Sequence, residues 1–218
     1  MAEKPSIPQS PQSPQSPKGV ILAGGAASRY GGRPKGLEIV GGRRILDHLV
    51  DVFVDAFGTL PLLVANVPDA TAWRPDLRIV ADVRPGLGSL GGIYTAVIEG
   101  PAPVVLAAWD MPFVTPQLLR DLAAGLSEHD AFLPESGGRR GVEPLCAAYG
   151  PACAPAIASS LERQDFRAIA FHHAVNVGIL PVARIQALGD PARLFFNLNS
   201  PEDLAEAEAL WRQGSSPS

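Results

Sequence analysis

Gly19-Val20-Ile21-Leu22-Ala23-Gly24-Gly25-Ala26-Ala27-Ser28-Arg29-Tyr30-Gly31-Gly32-Arg33-Pro34-Lys35 opens as an apolar run, breaks into glycines and ends among cations. An apolar run without polar alternation is the pattern of a strand covered on both faces, as in a parallel sheet. Glycines directly behind such a strand let the backbone turn sharply and bring N–H groups up to an anion. Arg29, Arg33 and Lys35 supply the charge a triphosphate needs, arginine as a planar fork and lysine as a point charge. A glycine-rich surface turn with solvated cations has the same composition, but the preceding strand and the three cations favour an anion cradle. Two familiar phosphate motifs do not fit. The P-loop requires Ser or Thr after its lysine, where this chain has Gly36, and the dinucleotide fingerprint fails because Ala26 fills its second glycine place.

Outward from this stretch, short apolar runs alternate with helical patterns. Ile45, Leu46, Leu49, Val50, Phe53 and Phe57 recur at three- and four-residue spacing and predict an amphipathic helix. Residues 60–65, 78–81, 130–133 and 145–149 read as strands, 90–99 as a helix, and Val104-Val105-Leu106-Ala107-Ala108 as a fully buried strand. Thr115-Pro116 supplies an N-cap and a first-turn proline for a helix through Ser127. Phe195-Phe196-Asn197-Leu198 reads as extended, and Ser200-Pro201-Glu202-Asp203 opens a last helix with early acids that suit its dipole. Strands alternating with helices predict an α/β fold, a three-layer Rossmann-like arrangement around a mostly parallel central sheet. Ligands on such sheets lie beyond the C-terminal strand ends, so the chemistry is expected after the strands at 19–23 and 104–108.

The flanks differ. Pro8 to Pro17 repeats Pro-Gln-Ser, cannot bury a core, and makes residues 1–17 a disordered, partly polyproline-II tail. Residues 18–212 form one domain and 213–218 a frayed end. The 218 residues carry 18 Lys plus Arg against 22 Asp plus Glu, a net charge of −4 that argues against a general nucleic-acid binder. No apolar run approaches the roughly 18 residues of a membrane span, and the N-terminus lacks the apolar core of a secretory signal. Cys146 and Cys153 are the only cysteines, too few for a disulfide framework or a multi-cysteine metal site. A cytoplasmic location, with no membrane or nucleic-acid partner, is the expectation. His172 and His173 are adjacent, so their side chains diverge and do not make a metal pair.

Asp110 follows the most apolar strand, in Trp109-Asp110-Met111-Pro112. A hard carboxylate oxygen there suits Mg2+, which keeps several waters and bridges nucleotide phosphates; an aspartate that only caps the turn is the plainer alternative. A second glycine cluster runs from Asp82 through Pro85-Gly86-Leu87-Gly88-Ser89-Leu90-Gly91-Gly92. Taken alone it is equally a tight loop before a helix.

The segment Leu22 to Leu37 matches L-A-G-G-x-x-x-R-x-G-x-x-x-K, the signature loop of nucleotidyltransferases, and closely resembles the molybdenum cofactor guanylyltransferase family, which makes molybdopterin guanine dinucleotide. The resemblance runs in motif order over about residues 18 to 212. It implies that Leu22, Ala23, Gly24 and Gly25 bind the guanine nucleotide, with Lys35 on its phosphates and Arg29 beside it. It likewise implies that Asp110 is the magnesium-binding aspartate of a C-D-x-P motif whose cysteine is here Trp109, and that Asp82 is a nucleotide-binding aspartate. Asn66 falls near a family asparagine, in a register uncertain by two residues. Glu143-Pro144-Leu145 resembles a strand bordering the pterin pocket, and Asn197-Leu198-Asn199-Ser200-Pro201-Glu202-Asp203-Leu204 resembles the closing N-x-N-[ST]-P-E-D-L. Glu143, Asn197 and Asn199 are therefore acceptor-side candidates, although asparagines before a helix more often cap and turn.

The implied activity is GMP transfer from GTP to the terminal phosphate of molybdenum-bound molybdopterin, releasing pyrophosphate, with Lys35, Arg29 and Asp110 as the catalytic set and Mg2+ as cofactor. Transient contact with other enzymes that make or receive the molybdenum cofactor is implied as well. Two other readings stay open: a related nucleotidyltransferase using CTP with molybdopterin or an NTP with a sugar phosphate, and a nucleotide- or cofactor-binding protein that does not turn over.

Overall fold

The computed structural model describes residues 17–24, 34–100, 103–138 and 140–214. The Pro-Gln-Ser repeat, Gly25, Arg29 and the rest of 25–33, and residues 215–218 lie outside the described residues.

The strands are β1 (Lys18–Ala23), the two-residue β2 (Ile39–Val40) and β3 (Arg43–Arg44), β4 (Leu62–Ala65), β5 (Ile79–Val80), β6 (Val104–Ala108), β7 (Ala131–Pro134), β8 (Cys146–Tyr149) and β9 (Val177–Leu180). The helices are α1 (Ile45–Phe57), α2 (Ala70–Trp73), α3 (Gly88–Glu99), α4 (Pro116–Gly125), α5 (Cys153–Glu162), α6 (Val182–Gln186), α7 (Pro191–Leu194) and α8 (Pro201–Gly214). Seven strands form one sheet in the order β5-β4-β1-β6-β8-β7-β9, while β2 and β3 pair with each other. All neighbouring pairs in the large sheet are parallel except those of β8, which runs against both β6 and β7. The expected mostly parallel sheet is therefore present, with one reversed strand.

Alternate strand residues feed two separate cores, as the period of two requires. Ile21, Leu63, Val105 and Cys146 pack on one face with Leu46, Leu49 and Phe53 of α1 and Leu118, Leu119 and Leu122 of α4. Val20, Leu62, Val104 and Ala147 pack on the other with Leu90 and Ile93 of α3 and Ile157 of α5. These are the three expected layers.

Local signals explain where the helices begin and end. Thr115 accepts a hydrogen bond from the Leu118 amide at 3.3 Å and Pro116 follows at the first helical position. Thr115→Ala is expected to cost about 1 kcal/mol of stability, read as a lower midpoint in urea unfolding. At α8, the Ser200 hydroxyl accepts from the Asp203 amide at 3.2 Å, and the Asp203 carboxylate accepts from the amides of Ser200 and Asn199 at 2.9 and 2.6 Å, a reciprocal capping box. α1 ends at Gly58, whose φ of 71° is cheap only without a Cβ.

Two expectations change. Phe195–Leu198 adds no strand: Phe195 closes α7 with φ −104° and ψ 20°, and the Leu198 amide donates to the Asp110 carbonyl at 2.9 Å. α8 runs through Gly214, so its last turn enters the stretch expected to fray.

The chain proceeds from β1 outward to β4 and β5, then returns to place β6 on the other side of β1. The order thus reverses at β1, and a crevice opens beyond the C-terminal ends of β1 and β6 where ligands of open α/β sheets bind.

Candidate active site

The two strands flanking this crevice deliver one charge each. β1 ends at Ala23, and Lys35 opens a short 3-10 turn, Lys35–Leu37, at the far side of the glycine loop. β6 ends at Ala108, and Asp110 follows directly. The Trp109 amide donates to the Leu22 carbonyl at 3.1 Å, extending the β1–β6 pairing past the strand ends and fixing the backbone beside Asp110.

Lys35 Nζ lies 3.4 Å from Asp110 Oδ2 and donates to Asn199 Oδ1 at 3.1 Å. Both charged side chains are mostly covered, with 16% and 17% of their surface exposed. Burial pushes the Asp110 carboxyl above its ordinary range, while the Lys35 ammonium works in the opposite direction. Asn199 is held in turn by the α8 capping box through its own amide. Three elements distant in sequence thus meet at one cation.

Glu143 lies on the same side. Its carboxylate accepts from the Leu145 amide at 3.1 Å, and burial raises its pKa. The Leu145 amide and then the neighbouring Arg140 oppose that rise, and the Asp110 charge adds to it. Asn197 instead turns onto its own segment, donating to the Phe195 carbonyl at 2.8 Å.

A second pair lies beyond the ends of β4 and β5. Asn66 Nδ2 donates to Asp82 Oδ2 at 2.6 Å, and the Asp82 amide donates to Asn66 Oδ1 at 2.7 Å. Asp82 Oδ1 is buried and has no hydrogen-bond partner among the described residues, a carboxylate oxygen still to be satisfied by a donor. Leu22 and Ala23 are the buried last residues of β1, and Gly24 is the exposed first residue beyond it. A Cβ built on Gly24 would meet nothing within 4 Å among the described residues. Gly25 and Arg29 lie outside the described residues.

Sequence reasoning missed the direct Lys35–Asn199 contact, the Arg140–Glu143 neighbourhood, and a stack of Trp73 on Trp109 with ring centres 5.2 Å apart. The first spans 164 positions, a separation for which a single sequence carries no signal. A cavity of about 510 Å3 lined by His48, Phe113, Arg193 and Trp211 contains none of these site residues; the chemistry places the site at the crevice instead.

Among the described residues, no group of three His, Cys, Asp or Glu side chains could hold a metal unaided. Asp110 alone fits a magnesium ion that arrives with nucleotide, since Mg2+ takes one or two carboxylates and completes its shell with waters and substrate phosphates. Cys146 and Cys153 are buried and free, and burial pushes Cys153 up to about 12, so neither is a nucleophile at neutral pH. The same described residues contain no helix long and apolar enough to cross a membrane.

Residues 19–177 match the MobA-like NTP transferase domain family. The chain is 30% identical over 199 residues to the molybdenum cofactor guanylyltransferase of Desulfosudis oleivorans, covering 90% of this chain and 96% of that relative. It is 34% identical over 205 residues to the molybdenum cofactor guanylyltransferase of Mesorhizobium japonicum, covering 88% and 94%. Among solved structures it superposes on the molybdopterin-guanine dinucleotide biosynthesis protein A of Archaeoglobus fulgidus with a TM-score of 0.76 at 25% identity, covering 90% of this chain and 99% of that one.

Proposed function

We infer the reaction from one premise: the chain belongs to the MobA-like NTP transferase family, as a relative of its molybdenum cofactor guanylyltransferases. It transfers GMP from GTP to the terminal phosphate of molybdenum-bound molybdopterin, forming molybdopterin guanine dinucleotide and pyrophosphate. The observation that carries this reading is the Lys35–Asp110 pair at the β1–β6 switch point. It combines a cation for the phosphates with a carboxylate for their metal.

An acceptor phosphate oxygen attacks the α-phosphorus of GTP in line, forming one P–O bond as the bond to the β-phosphate oxygen breaks. Lys35 offsets the charge developing on the departing pyrophosphate, with Arg29 as its partner on the glycine loop. Asp110 holds Mg2+, which supplies charge neutralisation at the phosphates when bound. The acceptor phosphate is already anionic near neutral pH, so no general base is required, and none is needed from Glu143, which borders the acceptor with Asn197. Asn199 keeps Lys35 in place. Leu22, Ala23 and Gly24 present backbone to the nucleotide, and Asp82, braced by Asn66, offers its unsatisfied oxygen to a donor on base or ribose. The reaction belongs in the cytoplasm, where molybdopterin-carrying enzymes can hand over substrate and collect product.

Incubation with GTP, Mg2+ and molybdopterin followed by mass analysis tests the reading; the expected product is the guanine dinucleotide, and its absence with CTP giving product instead would move the chain to the cytidylyl branch. Asn66→Ala is expected to raise KM for GTP about tenfold with little change in kcat, because it loosens ground-state binding and leaves the reacting phosphates alone. Steady-state kinetics in GTP check this.

A further inference from the structure

We propose that Trp109 and Gly36 are matched positioning residues whose close packing sets the Lys35 ammonium against Asp110. The proposal rests on the reading of Lys35 and Asp110 as the reactive pair and goes beyond it by naming what holds the pair in register.

Each of the two is the immediate chain neighbour of one member of the pair. Gly36 follows Lys35 and is buried; Trp109 precedes Asp110 and is 6% exposed. The Gly36 backbone meets the Trp109 indole with no room to spare. A Cβ built on Gly36 would sit 2.8 Å from indole Cδ2 and closer still to Cε3. No side chain larger than hydrogen fits at 36 while the indole holds its place, so the height of Lys35 over the crevice is set by the ring.

The ring in turn cannot drift. Its own amide is tied to the Leu22 carbonyl at 3.1 Å, and its outer face stacks on Trp73 at 5.2 Å with the planes 27° apart. Trp73 is anchored by the Arg44 guanidinium, which donates to its carbonyl at 3.1 Å and is itself paired with Asp47. Arg74, the next residue, reaches the same Asp47 at 2.9 Å. The wall therefore runs from the start of α1 through α2 to the two reacting side chains.

Among the described residues, the buried Trp109 Nε1 has no hydrogen-bond partner. The contribution of the indole is a flat, rigid surface against which the 35–37 turn seats.

The test compares full-length wild type with Trp109→Ala, Trp109→Phe, Gly36→Ala, Lys35→Ala and the double variant Trp109→Ala/Lys35→Ala. Rates are expressed per GTP-binding site, counted by equilibrium dialysis with radiolabelled GTP. Trp109→Ala and Gly36→Ala are each expected to lower kcat about 10- to 100-fold, the scale of an ångström-level misplacement, with KM for GTP changed far less. Trp109→Phe keeps an aromatic face toward Gly36 and recovers most of that loss. In the Lys35→Ala background Trp109→Ala adds nothing, because its effect passes through the lysine. Losses that multiply in the double variant, or wild-type kcat per binding site in Gly36→Ala, overturn the proposal; the second readout also decides the matter if Trp109→Ala does not fold. A fully active Lys35→Ala would overturn the reactive-pair reading itself, and is distinguishable because it involves neither Trp109 nor Gly36.

Discussion

Replacing Asp110 by Asn is expected to lower kcat by about a thousandfold or more, the scale of losing a charge aimed at the transferring phosphates, while the fold survives. The volume is unchanged, and the hydrogen bond from the Leu198 amide goes to the Asp110 backbone carbonyl, which Asn retains. The carboxylate itself is costly to the folded state. Burial raises its pKa despite the Lys35 ammonium beside it. A raised folded-state pKa means the native protein binds the proton more tightly than the unfolded chain. The favourable contribution is complete below the unfolded carboxyl pKa and is lost as pH rises through the folded value. At neutral pH the ionised group therefore subtracts from stability, and Asn, which mimics the neutral form, removes that cost. Asp110→Asn should melt at or above the wild-type temperature at pH 7, and the difference should shrink as pH falls through the Asp110 range. A variant that is both inactive and clearly less stable at pH 7 would mean the aspartate serves the fold; near-normal turnover would remove it from the reaction.

That stability pattern is what a functional site leaves in an otherwise consistent sequence, and it bears on how much was readable in advance. β1 and β6 announce themselves because strands covered on both faces are continuous apolar runs, and both are among the longest in the sheet. Their chemistry was legible for the same reason: Lys35 and Asp110 lie just beyond strands whose ends point into the crevice. α1, α3 and α4 carried either periodicity or caps. By contrast β2 and β3 have two residues each, and α2, α6 and α7 four or five, too short for any period to register. β9 contains Gly178 within Val177–Leu180, a weak strand signal. The reversal of β8 depends on which neighbours it finds, Ala107 against Cys146 and Ala131 against Tyr149, and a single strand sequence does not state its direction.

The site divides along the same line. Residues adjacent to strand ends could be named from their neighbours in the chain. Asn199 was read as acceptor-side or as a turn residue. It does take part in the turn, with its amide on Asp203, but its side-chain oxygen faces Lys35 because α8 folds back over the crevice. Trp109 drew notice only as the residue before the aspartate, and its stack on Trp73 joins residues 36 positions apart in the chain, which their separate neighbours do not announce.

Lys35→Ala tests the electrostatic half of the pair and separates charge from placement. Removing the ammonium is expected to lower kcat about 100- to 1000-fold, since it withdraws a preorganised donor from the departing pyrophosphate. It should also move the pH profile in a set direction. Lys35 is the group that holds the Asp110 carboxyl down against burial, through its charge and its hydrogen bond. Without it the Asp110 pKa rises further, a smaller fraction of the carboxylate is ionised at any mildly acidic pH, and the acidic limb of kcat/KM shifts upward. The same shift deepens the stability cost of the ionised aspartate, so Lys35→Ala should melt below wild type at pH 7 and regain the difference as the solution is acidified. Lys35→Arg discriminates the two effects. Its charge restores the position of the acidic limb, but a planar fork does not reproduce a compact ammonium seated between Asp110 and Asn199. Its kcat should therefore stay low while its pH profile returns to the wild-type position; recovery of both would reduce the role of Lys35 to charge alone, and an unshifted limb in Lys35→Ala would uncouple the lysine from Asp110.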